Sequence, residues 1–173
     1  MRTAVVVGNP KAGSRTLRVA QAVADALAER LADSSVAGDG SDRLVVDLAT
    51  IAPELFDPDS AKVKQLLEAV AGSDLIVVAS PTFKATYTGL LKSFFDRYGS
   101  NALGAAVAVP LMTGAAPIHA LAPEVHLRPL LVELGASTPT RGLYVTESQF
   151  DDLDTVIGAW ADTAVPLVAR ALS

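Results

Sequence analysis

The chain of 173 residues has no cysteine, few aromatic residues and no uninterrupted apolar run that reaches the roughly 18–20 residues of a membrane span. Without cysteine it can form no disulfide, use no thiolate in catalysis and hold no cysteine-ligated iron–sulfur cluster. Its two histidines and scattered carboxylates lack metal-ligand spacing, so we expect no metal site. The net charge of −5 argues against general affinity for nucleic acid. A strand pattern begins at the N-terminus without a signal-peptide pattern, which predicts a cytoplasmic protein.

What the chain does contain is a regular alternation of strand and helix patterns. Its length predicts a single domain over residues 1–173. We predict strands at residues 3–8, 43–48, 75–80, 105–111 and 141–145, and helices at about 14–32, 60–71, 88–98, 117–134 and 153–172. Residues 33–42, rich in Ser, Gly and Asp, are predicted to form a mobile loop. This alternation predicts an α/β fold, namely a flavodoxin-like three-layer sandwich around a five-stranded parallel sheet in the order 2-1-3-4-5.

The loop of residues 8–16 is the most informative feature, because it joins a buried strand directly to a helix. Backbone N–H groups at a helix N-terminus are unpaired and carry partial positive charge, so such a loop binds phosphate well. The hydroxyls of Ser14 and Thr16 add donors, and Lys11 and Arg15 can neutralise the anion. We therefore expect a phosphate at this loop.

The spacing within this loop also excludes two common nucleotide sites. Gly8 and Gly13 resemble the glycines of a Walker A loop, but Ser14-Arg15 stands where Lys-Ser/Thr is required. The loop does not match G-x-G-x-x-G either. A mononucleotide phosphate bound without metal fits better than ATP or NAD. The alternative is an ordinary strand-to-helix turn with Ser14 as N-cap.

The loop after strand three is expected to meet the first loop, because the ligand crevice of this fold lies between strands one and three at their carboxyl ends. The second loop, residues 80–89, reads SPTFKATYTG and has stiff or small residues where a flat ring can lie against backbone. The third loop, residues 112–117, is small, apolar and free of carboxylates. In it, Gly114 lacks a Cβ, can adopt positive φ and can lie close to a ring.

Three stretches together, residues 8–16, 80–92 and 119–131, resemble the NAD(P)H-dependent FMN reductase family. The resemblance covers nearly the whole chain and is closest to members that supply reduced flavin to alkanesulfonate-type and luciferase-like monooxygenases. It implies an enzyme with FMN and NADPH or NADH as cofactors, in which hydride passes from the nicotinamide to flavin N5. The nicotinamide is expected on the exposed face of the flavin ring.

By motif match, the resemblance implies the following residues around FMN. Asn9, Lys11, Ser14, Arg15 and Thr16 would surround the phosphate, with Asn9 standing where many relatives carry serine. The ring would be lined by Pro81, Thr82, Phe83 and Lys84 from the second loop, and by Thr113, Gly114 and Ala115 from the third. Backbone N–H groups near Gly114 and the Thr113 hydroxyl can face the N1–C2=O2 edge of the ring, where reduced flavin carries negative charge.

The predicted helix 88–98 also suggests self-association. Its apolar residues form a stripe wider than one sheet contact usually hides, which predicts a homodimer through this helix; they are Leu90, Leu91, Phe94, Phe95 and Tyr98. Members of the family it resembles are commonly dimers or tetramers.

Two other functions remain compatible with these patterns. One is a flavodoxin-like electron carrier, although such carriers shield the flavin ring with aromatic side chains and the third loop has none. The other keeps bound FMN but reduces a quinone, an azo dye or a metal oxyanion.

Overall fold

The computed structural model describes residues 1–32 and 43–173. The strands are β1 (Thr3–Val7), β2 (Arg43–Asp47), β3 (Leu75–Pro81), β4 (Val107–Gly114) and β5 (Leu143–Thr146). The α-helices are α1 (Arg15–Leu31), α2 (Ala61–Ala71), α3 (Gly89–Phe95), α4 (Arg128–Glu133) and α5 (Leu153–Leu172). The loop predicted over residues 33–42 lies outside the described residues.

The five strands form one parallel sheet in the order β2-β1-β3-β4-β5, which confirms the predicted flavodoxin-like topology. In the central register, Val5 of β1 pairs with Val45 on one side and with Val77 on the other. Both β1 and β3 are buried along their whole length, which explains their continuous apolar sequences. The chain leaves β1 toward β2 on one side and returns to β3 on the other, so a crevice opens at the carboxyl ends of these strands.

Helices cover both faces of the sheet. On one face α1 and α5 pack through apolar side chains that include Val23, Leu27 and Val168. On the other face α2, α3 and α4 contribute residues such as Val63, Phe94 and Leu131 to a second core. Within the described ranges, none of the helices has the length and apolar character needed to cross a membrane.

Three of these helices begin at hydroxyl residues whose side chains accept a backbone N–H from the first turn. Ser14 caps α1, Ser60 caps α2 and Thr88 caps α3. Each cap satisfies one of the backbone donors that a helix start leaves unpaired, and replacing it with alanine costs about 0.5–2 kcal/mol. Two of these caps, Ser14 and Thr88, also stand at the crevice end of the sheet, so capping and site construction coincide there.

The apolar stripe of α3 is covered within the chain itself, which contradicts one expectation. The helix ends at Phe95, earlier than predicted, and Leu91, Phe94 and Phe95 are fully buried. Tyr98 and Leu90 are partly buried against the same core, and the Tyr98 hydroxyl donates to the Leu67 carbonyl at 2.8 Å. The prediction that this stripe exceeds its sheet contact is therefore wrong, and α3 offers no argument for a dimer.

Residues 117–134 do not form the single helix that was predicted. The chain makes a 3-10 turn at Pro117–His119, then a π-helical segment at Pro123–Leu127 that runs into α4. Pro129 sits in the first turn of α4, where the missing N–H of proline is tolerated. Local apolar spacing indicated helix here but could not show where the chain changes its winding.

Candidate functional site

A cleft of about 450 Å³ opens at the carboxyl edge of the sheet, within the roughly 300–1,000 Å³ usual for small-molecule sites. Its lining residues are Asn9, Lys11, Gly13, Ser14, Arg15, Thr16, Pro81, Thr82, Phe83, Thr113, Gly114, Ala115, Glu147 and Phe150. All the predicted site residues except Lys84 lie in this lining. The first and second loops therefore meet as the strand order requires, and the third loop lies in the same cleft.

Close packing holds the start of the first loop against the second. The Gly8 N–H donates to the Ala79 carbonyl at 2.8 Å and prolongs the pairing of β1 with β3. A Cβ on Gly8 would lie 2.4 Å from the Cβ of Leu91 in α3, so only glycine lets the chain pass here. The Thr88 hydroxyl donates to the Gly8 carbonyl while it caps α3. The Thr88 hydroxyl thus joins both loops beneath the cleft.

Asn9 closes the first loop through both ends of its side-chain amide. Its Oδ1 accepts the Lys11 N–H at 2.9 Å, and its Nδ2 donates to Thr16 Oγ1 at 3.2 Å. Gly13 has a φ of +62°, a left-handed conformation that favours glycine. The Gly13 N–H donates to Asp47 Oδ2, at the end of β2, over 2.9 Å. The loop is held by these contacts before any ligand enters.

The two hydroxyl residues at the start of α1 have different surroundings. Ser14 Oγ accepts the Leu17 N–H at 3.2 Å as the helix cap, which uses a lone pair and leaves the hydroxyl hydrogen to donate into the cleft. The capping alternative for Ser14 is therefore correct, and it is compatible with ligand binding. Thr16 Oγ1 lies 2.8 Å from Thr113 Oγ1, so it links the first loop to β4.

Arg15 faces two residues from the region after β5. Its Nη2 forms an ion pair with Glu147 Oε1 at 2.9 Å, and its guanidinium carbon lies 5.1 Å from the centre of the Phe150 ring. Sequence reasoning missed Glu147 and Phe150, although both line the cleft. A signal was available, because residues that follow β5 lie at the same carboxyl edge as those that follow β1.

The second loop crosses to β4 and then makes a tight turn. The Thr82 N–H donates to the Thr113 carbonyl at 2.7 Å, next to the end of β3 at Pro81. The hydroxyl of Thr82 is buried and has no hydrogen-bond partner among the described residues. A buried unpaired hydroxyl costs free energy. After a side-chain rotation, the Thr82 hydroxyl can therefore form a hydrogen bond with a ligand.

The turn itself has an unusual backbone. Phe83 and Thr86 exchange backbone hydrogen bonds, and the two residues between them, Lys84 and Ala85, have φ values of +51° and +71°. This conformation costs about 1–2 kcal/mol for each residue other than glycine. Phe83, 52% exposed, borders the cleft, whereas Lys84 is exposed on the turn outside the lining. Strain of this kind is often retained at binding sites.

The third loop is partly strand, because β4 extends through Gly114 rather than ending at residue 111. Among the glycines of the described ranges only Gly13 and Gly135 have positive φ, so the expectation of positive φ at Gly114 is wrong. There is instead no room for a side chain at position 114, because a Cβ there would lie 2.0 Å from the Tyr144 hydroxyl oxygen. That hydroxyl donates to the Ala116 carbonyl at 3.0 Å. Glycine at this position thus makes room for the tyrosine that supports the loop.

Comparison with known families and proteins gives a consistent result. The sequence profile described as NADPH-dependent FMN reductase matches residues 1–151. The NADH-dependent FMN reductase SfnF of Pseudomonas putida is 34% identical over 156 residues, which cover 87% of this chain and 80% of that protein. An FMN reductase (NADPH) of Pseudomonas aeruginosa is 32% identical over 156 residues, with the same coverage of both chains, 87% and 80%.

Solved structures show the same similarity in three dimensions. The apo form of an NADH:FMN oxidoreductase (EMOB) superimposes with a TM-score of 0.84 at 30% identity, covering 99% of this chain and 90% of that one. An oxidoreductase from Corynebacterium diphtheriae gives a TM-score of 0.79 at 26% identity, covering 98% of each chain.

Proposed function

This chain belongs to the NADPH-dependent FMN reductase family, and from that premise we propose how its cleft holds FMN. It is a flavin oxidoreductase that uses NAD(P)H and FMN. In our proposal the flavin phosphate binds the first loop, and the ring lies between the second and third loops. One observation carries this proposal: a single cleft combines Ser14 and Arg15, at the N-terminus of α1, with uncharged residues of the second and third loops.

The phosphate end has the donors that a phosphate monoester needs. Lys11, Ser14 and Arg15 all line the cleft, and the cap at Ser14 uses its oxygen as acceptor, so its hydroxyl can still donate. The 17-residue helix α1 adds partial positive charge at the same place. Charge-assisted hydrogen bonds to phosphate are about twice as strong as neutral ones. In this arrangement Asn9 and Thr16 hold the loop in shape and line the phosphate pocket.

The ring end suits a flat, neutral heterocycle. The lining there is uncharged and includes Pro81, Phe83, Gly114 and Ala115. The Thr82 hydroxyl has no hydrogen-bond partner among the described residues, and a heteroatom of the ring can serve as one. On our proposal the residues of the second and third loops lie against the ring. The fit of both ends to FMN comes from this donor set and needs no metal ion.

The chain's own contribution to catalysis is orientation and electrostatics. FMN held between the second and third loops would supply the redox chemistry, namely acceptance of a hydride at N5 from the nicotinamide carbon. Residues 113–115 carry no aromatic side chain, which leaves space for the nicotinamide over one face of the ring. Holding donor and acceptor atoms about 3–3.5 Å apart is worth several kcal/mol of the barrier. No side-chain acid or base is required for this step.

We further propose that reduced FMN leaves the cleft for a partner monooxygenase, as the resemblance of residues 119–131 implies.

The same region supports self-association better than α3 does. Four apolar side chains between the 3-10 turn and the end of α4 are 54–83% exposed, namely Ile118, Leu121, Val125 and Val132. We call them the 118–132 ridge. Four large exposed apolar residues within one short segment are a candidate interface, and we propose that the ridge forms a homodimer contact.

Steady-state oxidation of NADH and of NADPH, each with free FMN as acceptor, tests the function directly. We expect FMN-dependent oxidation of at least one nucleotide, and anaerobic bleaching of the flavin absorbance without a further acceptor. Quinones in place of free FMN separate flavin reduction from the alternative activities. A bound flavin that neither NADH nor NADPH bleaches would support an electron carrier instead, and faster turnover with quinone than with free FMN would support a quinone reductase.

A further inference from the structure

Two carboxylates already occupy donors at the phosphate end of the cleft. Asp47 Oδ2 accepts the Gly13 N–H at 2.9 Å, and Glu147 Oε1 pairs with Arg15 Nη2 at 2.9 Å. They reach the first loop from different directions, since Asp47 ends β2 and Glu147 follows β5. A phosphate at this loop must therefore displace these carboxylates or share donors with them.

Glu147 is the carboxylate that is in direct competition, because it lines the cleft and holds the guanidinium expected to bind phosphate. The pair is exposed, with 61% of the Arg15 side chain and 50% of the Glu147 side chain accessible. Exposed ion pairs contribute only about 0–1 kcal/mol, so a phosphate dianion can take Arg15 away from Glu147. The Phe150 ring lies beside the guanidinium and supports it whichever anion it pairs with.

We propose that Glu147 is an internal competitor of the flavin phosphate that limits FMN affinity and speeds FMN release. The proposal rests on the phosphate position given under the proposed function. Without flavin, Glu147 neutralises Arg15. With FMN bound, its negative charge stays next to the phosphate and repels it. Glu147 thereby favours FMN as an exchangeable substrate over FMN as a permanently bound group.

The Glu147 charge should repel only the phosphate, which riboflavin lacks. Removing this charge should therefore change the affinity for FMN but not the affinity for riboflavin. We expect Glu147→Gln to lower the Kd for FMN about three- to tenfold, as removal of one partly screened charge permits. The Kd for riboflavin should stay unchanged. The gain should shrink at 1 M salt, where the screening length falls to about 3 Å. Flavin fluorescence titration measures both affinities, and stopped-flow displacement measures the FMN release rate, which should fall in parallel.

Two control variants make the result specific. Glu68→Gln removes the same charge from an exposed position on α2 outside the cleft lining, and it should leave the Kd for FMN unchanged. Ser14→Ala tests the phosphate position itself and should weaken FMN more than riboflavin. Asp47→Asn is a less specific test, because the other oxygen of Asp47 accepts the Ala49 N–H.

The outcomes separate this inference from the proposal on which it rests. If Ser14→Ala weakens FMN binding selectively but Glu147→Gln does not raise FMN affinity, our inference is wrong. A lowered FMN affinity in Glu147→Gln would mean that Glu147 orients Arg15 for the phosphate. If Ser14→Ala and Glu147→Gln both change FMN and riboflavin equally, the phosphate binds elsewhere and both proposals fail. Selective loss with Ser14→Ala together with selective gain with Glu147→Gln supports both.

Discussion

The hydroxyl of Tyr144 occupies the space that a side chain at Gly114 would need, with its oxygen 2.0 Å from the Cβ position. The two residues lie on neighbouring strands, since β4 pairs with β5 through Gly114 and Thr146. The same hydroxyl donates to the Ala116 carbonyl, so the tyrosine both excludes a side chain and supports the loop that follows.

Gly114→Ala therefore has a specific expected cost. The new methyl group should force the Tyr144 ring aside and break its bond to Ala116, which lowers the free energy of unfolding by about 1–3 kcal/mol. Chemical denaturation measures this loss. Adding Tyr144→Phe removes the closest atom, although the next ring carbon stays 2.9 Å away, so we expect partial recovery. Strictly additive effects of the two substitutions would contradict the contact.

This contact also shows where sequence reasoning reached its limit. Apolar periodicity predicted α5 at its observed bounds, and strand order predicted that the first and second loops would meet. The third loop was placed beside them only by the resemblance to a family. The reason for glycine at 114 was not accessible, because it depends on a residue 30 positions away on another strand. Glu147 and Phe150 were missed for a similar reason, since local patterns carry no information on which side chains reach Arg15.

Ser14→Ala should have two separable effects. Loss of the cap should lower the stability of the flavin-free protein by about 0.5–2 kcal/mol. Loss of a donor to phosphate should weaken FMN, but not riboflavin, by about 1.5–3 kcal/mol. Ser60→Ala is the matched control, because Ser60 caps α2 in the same way outside the cleft lining. Equal loss of FMN affinity in both variants would place the phosphate away from Ser14.

Ala85→Gly should stabilise the protein. Ala85 is exposed and has a φ of +71°, so glycine relieves the strain and removes no buried contact. We expect a net gain of roughly 0.5–1 kcal/mol after the larger chain entropy of glycine is counted. Ala159→Gly makes the same change in the exposed face of α5 and should instead cost about 0.5–1 kcal/mol. A loss of stability in Ala85→Gly would show that the turn is not strained.

The 118–132 ridge should determine the oligomeric state. Ile118→Asp with Leu121→Asp places two charges on side chains that are 83% and 61% exposed, so a free monomer should tolerate both. Buried in a homodimer contact, those charges would be desolvated without partners, and we expect the dimer to dissociate. Sedimentation velocity measures the change, with Phe56→Asp as a control at another exposed apolar residue. A wild-type protein that sediments as a monomer would contradict the proposed dimer. Loss of the dimer in Phe56→Asp alone would mean that the contact lies at Phe56 and not at the ridge.

Burial of Tyr98 should make the stability of the protein fall at alkaline pH. Burial raises the pKa of Tyr98 above its ordinary value, while its hydroxyl donates to the Leu67 carbonyl. Above the unfolded pKa of about 10, the unfolded chain releases a proton that the folded chain keeps, so stability is lost by up to about 1.4 kcal/mol per pH unit. Tyr98→Phe has no hydroxyl to ionise, so its stability lacks this pH dependence. The substitution should cost about 1 kcal/mol near neutral pH, because the hydrogen bond to the Leu67 carbonyl is lost. Denaturant unfolding of both proteins from about pH 8 to about pH 11 should therefore show a stability difference that narrows above pH 10. A difference that stays constant over this range would mean that Tyr98 ionises equally well in the folded protein.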